Sequence, residues 1–344
     1  MTNHPHRVGA VDCGTNSIRL LIADPDPATG MLTDIVRRME VVRLGYGVDR
    51  AGVIDPGAMR RTLDMCREYA GQCRDAGAAA VRFVATSASR DARNAHEFVA
   101  GVKDAFADFR TAPEVISGDE EAELSFTGAT GGLRAAGVEG PYLVVDLGGG
   151  STEFVRGTDH VEAARSVDIG CVRMTERHLH SDPPTHTEIA RATADIEAAI
   201  DAAQADVGFG GVRTLVGLAG TITTITAHAL DLPAYDAERI HLTQLTPDAA
   251  REAALSLLHQ THAQRAALGF MHPGRVDVIG AGALIWERIV ARLAAVAGVD
   301  RVVTSEHDIL DGIALSLLPV TEAVAPPVRR SGRRTGPGRP RCRP

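Results

Sequence analysis

Two short segments of this chain carry residue types suited to holding phosphate. The first is Asp12-Cys13-Gly14-Thr15-Asn16-Ser17; the second is Asp146-Leu147-Gly148-Gly149-Gly150-Ser151-Thr152-Glu153. A phosphate approaches a peptide N–H closely only where no side chain blocks it, which favours Gly14, Gly148, Gly149 and Gly150. Successive amides in a tight turn form an anion-binding nest. Thr15, Asn16, Ser17, Ser151 and Thr152 add polar groups that bond to phosphate oxygens. Asp12 and Asp146 would repel a phosphate directly, so their sensible role is to hold Mg²⁺ through its waters. Either loop alone is matched by an ordinary hairpin turn with an Asp cap. Two loops with the same Asp-x-Gly logic, at the same place in two similar halves, point instead to a phosphate chain held between them.

The elements around the loops repeat as well. Residues 8–12 and 142–146 are apolar runs ending at the loop aspartate, and each is followed by a strand-like run at 18–23 or 153–155. Third strands are expected at 35–44 and 161–168. Helical spacing covers 56–73, where Met59, Leu63, Cys66 and Tyr69 share a stripe, and 91–107. Short strands at 81–85 and 114–116 precede a helix opening at Ser117. In the second half, helices are expected at 187–205, across most of 246–296 and at 306–318, with strands at 213–217 and 302–304. The fold class is therefore α/β, with a duplicated domain and a cleft between the copies. The expected division is 1–128, 129–322 and a Pro/Gly/Arg tail at 323–344 that reads as disordered.

Bulk composition narrows the class. Of 344 residues, 44% are hydrophobic and only 4% aromatic, so the cores must be aliphatic. No apolar run is long enough to span a bilayer and no signal-peptide pattern opens the chain, so a soluble cytoplasmic protein is expected. Five scattered cysteines without a C-x-x-C pair argue against a disulfide framework or a zinc site. The last sixteen residues hold seven arginines and no acid; without them the net charge of −8 becomes −15. So acidic a body argues against nucleic-acid binding. A polyanion would need a local cationic pocket, a metal or backbone amides. Gly220 and Thr221, in the small-residue run 217–221 before an apolar helix, could supply a further anion or nucleotide pocket. Ser117 and Glu120 have the spacing of a capping box.

Six segments together resemble the Ppx/GppA family of exopolyphosphatases and guanosine pentaphosphatases, within the actin, sugar-kinase and Hsp70 ATPase superfamily. They are VDCGTNSIRLLIA, VATSASRDARN, ISGDEEAELSF, VVDLGGGSTEFV, VGLAGTITT and HPGRVDVIGAGALI, spread over about residues 8–285. The resemblance implies two ribonuclease-H-like, actin-like ATPase domains with the site between them, in the short form without further C-terminal domains. It implies that Arg90 reaches toward phosphate, a role its bidentate fork suits. It implies Glu121 as the base that deprotonates the attacking water, with Glu153 as a second carboxylate that assists water or metal. It also implies Mg²⁺, with a monovalent ion and a homodimer left open. Asp308 and Asp311 stand where many relatives carry a more basic Arg-Glu-Gly.

The leading expectation is an Mg²⁺-dependent exopolyphosphatase that releases orthophosphate from inorganic polyphosphate. Hydrolysis of pppGpp to ppGpp is the same chemistry, and the motifs do not separate the two. A kinase-like ATPase and a non-catalytic alarmone binder are the remaining alternatives. The short form suggests an open site suited to shorter chains.

Overall fold

A computed structural model of the chain describes residues 7–26, 31–133 and 136–318. The arginine-rich tail expected at 323–344 lies outside the described residues.

The first sheet contains β1 (Val8–Cys13), β2 (Ser17–Pro25), β3 (Leu32–Val41), β4 (Ala80–Ala85) and β5 (Pro113–Val115), in the order β3-β2-β1-β4-β5. The first three strands form an antiparallel meander, and β4 and β5 continue the sheet parallel to β1. The second sheet contains β6 (Tyr142–Leu147), β7 (Thr152–Gly157), β8 (Val161–Val167), β9 (Thr214–Leu218), β10 (Gln244–Leu245) and β11 (Val302–Thr304). Its order is β10-β11-β9-β6-β7-β8. Without the short antiparallel edge strand β10, order and directions repeat those of the first sheet. The expected duplication of an α/β unit is thus present. Every residue of β1 and β6 is buried, which is why both read as unbroken apolar runs rather than alternating ones.

Several elements differ from the sequence reading. The helix expected at 91–107 is two helices, Ser87–Asp91 and Ala95–Ala105, with Ala92 extended between them. The break coincides with Asn94, whose side chain accepts from Ile54 N at 2.8 Å and donates to Ile54 O at 3.1 Å. A tertiary contact overrides local helix preference there. The helix Cys171–His178 and strand β10 have no counterpart in the sequence reading.

Two helices cross between the units. Gly118–Thr130 follows β5 of the first sheet, yet its Ala122, Phe126 and Ala129 pack with Tyr142, Val144 and Val155 of the second. Ile309–Leu315 follows β11 of the second sheet, yet its Ile309, Leu310 and Ile313 pack with Val8, Ala10 and Leu21 of the first. The crossing helices meet backbone to backbone. A Cβ on Gly128 would lie 1.8 Å from the Asp308 carbonyl oxygen, and one on Gly312 would lie 2.0 Å from that of Leu124. The division expected at 128/129 falls inside the first of these helices. Ser117 caps that helix through Glu120 N, but Glu120 does not complete a capping box; its carboxylate accepts from Arg82 Nη2 at 2.7 Å. Among the described residues no helix is long and apolar enough to cross a membrane.

Candidate active site

The two phosphate loops are the same turn. The hairpin ladder of β1 and β2 ends at Cys13 and Ile18, and Gly14 N donates to Ser17 O at 3.0 Å. The ladder of β6 and β7 ends at Leu147 and Thr152, and Gly148 N donates to Ser151 O at 3.1 Å.

Protein donors occupy most carbonyls of the two loops. Asn16 O accepts from Val42 N and Arg43 N, and Thr15 O from Gly45 N. Gly148 O accepts from Cys171 N, and Gly149 O from Val172 N and Arg173 N, at the start of helix Cys171–His178. Gly150 O accepts from Arg173 Nε at 2.7 Å. Most oxygens that would repel an anion are held by partners, while the amides of Thr15, Asn16, Gly149, Gly150 and Ser151 are not used within the turns.

The loops touch. A Cβ on Gly149 would sit 2.9 Å from Thr15 Cβ, and one on Gly150 would sit 2.4 Å from Ser87 Oγ. Glycine is required at both because Thr15 of the opposite loop and Ser87 beside it fill the space. Thr15 Oγ1 and Ser87 Oγ share a hydrogen bond of 2.8 Å beside them.

Between the loops lies a cleft of about 100 Å³. Residues 14–17 and 148–151 line it, together with Asp12, Asp146, Glu121, Gly220 and Thr221. Three expected site residues lie outside its wall. Thr152 is buried, and its hydroxyl donates to the Ile169 carbonyl. Glu153, 1% exposed, accepts from Ser166 Oγ at 2.7 Å. Arg90 Nη1 donates to Glu121 Oε2 at 2.8 Å and to Ile116 O at 2.9 Å, so it acts on the cleft through Glu121.

The carboxylates are unequal. Asp12 is paired with Arg19, whose Nη2 and Nε reach its Oδ2 at 2.7 and 2.9 Å, and Arg19 also pairs with Asp308. Burial still raises Asp12, with the Arg19 charge working against it. Asp146 has no arginine; it accepts from Ser125 Oγ at 2.6 Å. Burial, then the charge of Asp308, pushes Asp146 up to about 6. Burial also lifts Glu121 to about 7 while Arg90 pulls it down. Glu153 is raised well above the ordinary carboxylate range by burial and by the charges of Glu121 and Asp146. Burial thus raises a cluster of acids in and beside the cleft above the ordinary carboxylate range, the setting in which a general base becomes effective at physiological pH.

Some contributors went unmarked in the sequence. Ser87 and Arg275 line the cleft from inside recognisable segments, VATSASRDARN and HPGRVDVIGAGALI, whose side-chain directions a sequence does not give. The Arg275 guanidinium lies against Gly220, where a Cβ would fall 2.0 Å from its Nη2. Ser125 carried no local signal, and nothing in the sequence placed Asp308 beside Arg19. Asp308 caps the last helix through Leu310 N at 3.0 Å, and Asp311 takes Arg37 Nη2 at 2.6 Å. These two acids therefore bind arginines of the first sheet.

A second cavity of about 460 Å³ adjoins the cleft. The two share Arg19, Ala219, Gly220 and Arg275, and Tyr235, Phe270 and Met271 wall the larger one.

The family model of the Ppx/GppA phosphatase family matches residues 21–317. The chain belongs to the Ppx/GppA phosphatase family. It is 50% identical over 315 residues to exopolyphosphatase 2 of Mycobacterium tuberculosis, covering 90% of this chain and 98% of that protein. A guanosine-5'-triphosphate,3'-diphosphate pyrophosphatase of Aeromonas salmonicida is 32% identical over 238 residues, which is 69% of this chain and 46% of that one. Among solved structures, an exopolyphosphatase-like protein superposes with a TM-score of 0.86 at 43% identity, covering 90% of this chain and 97% of that one. The Aquifex aeolicus Ppx/GppA protein gives 0.74 at 29% identity, covering 90% and 96%. The α/β architecture with its two matching sheets is thus shared with family members of known structure.

Proposed function

We propose that this chain is an exopolyphosphatase that cleaves the terminal phosphoanhydride bond of inorganic polyphosphate in the cytoplasm. The observation that carries the reading is Glu121: a carboxyl near neutrality, held by Arg90, on the wall of a cleft between two matching phosphate loops. Donors of residues 15–17 and 149–151 bind the terminal phosphate, and Gly14 and Gly148 close the turns that present them. Glu121 takes a proton from the attacking water. The new P–O bond forms as the bond to the next phosphate breaks, and the shortened chain leaves as the anion.

The residues present also fit Mg²⁺. Among the described residues no group of three His, Cys, Asp or Glu could hold a metal by itself. Mg²⁺ does not need such a cage, since it is commonly held by one or two carboxylates plus waters and substrate phosphates. Asp12 and Asp146 are the carboxylates that would hold it here, and the charge that lifts Asp146 is what a cation offsets. When bound, the ion neutralises charge on the phosphates.

The adjoining cavity favours a second reading, hydrolysis of pppGpp. Its aromatic and methionine wall suits a nucleoside, and Arg19 and Arg275 stand where the two spaces meet. Phosphate release from inorganic polyphosphate and from pppGpp, assayed separately at equal concentration with Mg²⁺, decides between them. No release from polyphosphate overturns the first reading, and release from pppGpp alone establishes the second.

A further inference from the structure

Helix Cys171–His178 carries an arginine that no step above uses. The Arg173 side chain is 11% exposed, and its guanidinium hydrogen-bonds to three separate partners, with Asp168 a looser ion pair at 3.8 Å. Nε donates to Gly150 O of the second loop at 2.7 Å. Nη1 donates to Asp49 Oδ1 and Nη2 to Asp91 Oδ2, each at 2.5 Å. Asp49 and Asp91 both belong to the first unit.

The position of Asp91 gives this strut its meaning. Asp91 ends helix Ser87–Asp91. That helix begins with Ser87, the partner of Thr15 in the first loop, and carries Arg90, the partner of Glu121. One planar fork therefore ties the second phosphate loop to the element that positions the first loop and the base. Its Nε bond also occupies the one loop-two carbonyl at Gly150 that no backbone amide holds. A freed Gly150 carbonyl could turn toward bound phosphate and repel it, most strongly as negative charge shifts during transfer.

We propose that Arg173 is a positioning residue for phosphate hydrolysis, holding the second loop in register with Glu121 and keeping the Gly150 carbonyl out of the cleft. This rests on the hydrolase reading above. A merely structural latch would behave differently, and the neighbouring Arg177 provides the contrast. Arg177 holds Asp49 at 2.7 and 2.8 Å and so also bridges the units, but it bonds to neither loop.

The test compares Arg173→Ala, Arg173→Lys and Arg177→Ala in the full chain. Two readouts are taken: steady-state phosphate release from inorganic polyphosphate, and amide hydrogen exchange without substrate. Arg173→Ala should lower kcat by about 100-fold, as expected for a displaced reacting geometry, with a much smaller change in KM. Arg173→Lys should recover little, because an ammonium cannot reproduce a three-way fork. Arg177→Ala should keep kcat within about threefold of wild type, since it leaves the loop bond intact. Exchange in residues 148–151 and 87–91 should accelerate in Arg173→Ala, and exchange in 148–151 should stay at the wild-type rate in Arg177→Ala. Wild-type kcat in folded Arg173→Ala, an equal loss in Arg177→Ala, or unchanged exchange at both segments would each overturn the proposal. A wild-type protein that releases no phosphate would overturn the hydrolase reading instead, and the exchange measurement would still decide the role of Arg173.

Discussion

Arg19 and Glu153 occupy matching places in the two hairpins. Arg19 pairs across the β1–β2 ladder with Asp12, and Glu153 pairs across the β6–β7 ladder with Asp146. One backbone plan thus carries a cation in one copy and an acid in the other. Burial opposes the charge on Arg19, but Asp308, Asp12 and Asp146 more than offset it and keep the guanidinium protonated. Glu153 has no such partner, and burial with neighbouring acids drives it toward the neutral form. The first hairpin brings its own cation to the cleft, whereas the second brings only acids.

Glu121→Gln should abolish the base while keeping the fold. Phosphate release should fall roughly 100- to 10,000-fold, the usual contribution of a positioned base. If release is retained, the base is misassigned and Glu153 is the next candidate.

The acid limb of the pH profile should follow Glu121. A base must be deprotonated, so kcat/KM should fall as pH drops below about 7. Arg90 lowers that value, so Arg90→Ala should move the limb to higher pH. A limb that stays in place in the variant would remove Arg90 from this role.

Stability should depend on pH and on Mg²⁺ together. Asp146 and Glu121 have folded values of about 6 and 7, above their ordinary 3.8 and 4.5. Carboxyls raised on folding stabilise below the ordinary values, and that contribution is lost as pH rises through the folded ones. Mg²⁺ should therefore raise Tm more at about pH 8, where these acids are charged, than at about pH 5. Calorimetry with and without a chelator reads the difference, and an equal rise at both pH values would count against metal binding by these acids.

Arg19→Met should be severely destabilising. It strands Asp12 and Asp308 as buried carboxylates without their shared cation, a loss of about 3–5 kcal/mol for a broken buried pair. Adding Asp308→Asn should recover part of it. Denaturant titration checks both, and an additive double variant would show the pair is not coupled.

Gly128→Ala should destabilise although Ala is the better helix former. The new methyl would overlap the Asp308 carbonyl, and backbone yields less readily than a side chain. An overpacking cost of roughly 1–3 kcal/mol is expected, read as a fall in Tm. A raised Tm would mean that the helices can separate at no cost.

The phosphate loops, the strands that end in them and the duplication were legible in the chain because each is a local pattern. An apolar run stopping at Asp before Gly-rich residues gives strand, turn and chemistry within about ten positions. Asp12, Asp146 and the loop glycines were found that way and Glu121 through its family segment, and the structure gathers them around one cleft. Arg90 was placed by its segment, but a sequence carries no side-chain direction, and its guanidinium turns to Glu121. Thr152, read as a phosphate ligand, instead satisfies a buried carbonyl. The crossing of the two interdomain helices, the Arg19–Asp308 pair at a separation of 289 residues and the Arg173 strut appeared only in three dimensions. Residue type and spacing therefore determined which chemistry this chain could perform. The packing of one unit on the other decided which charges meet, because pairing and burial across distant segments set protonation and reach, and no local pattern encodes them.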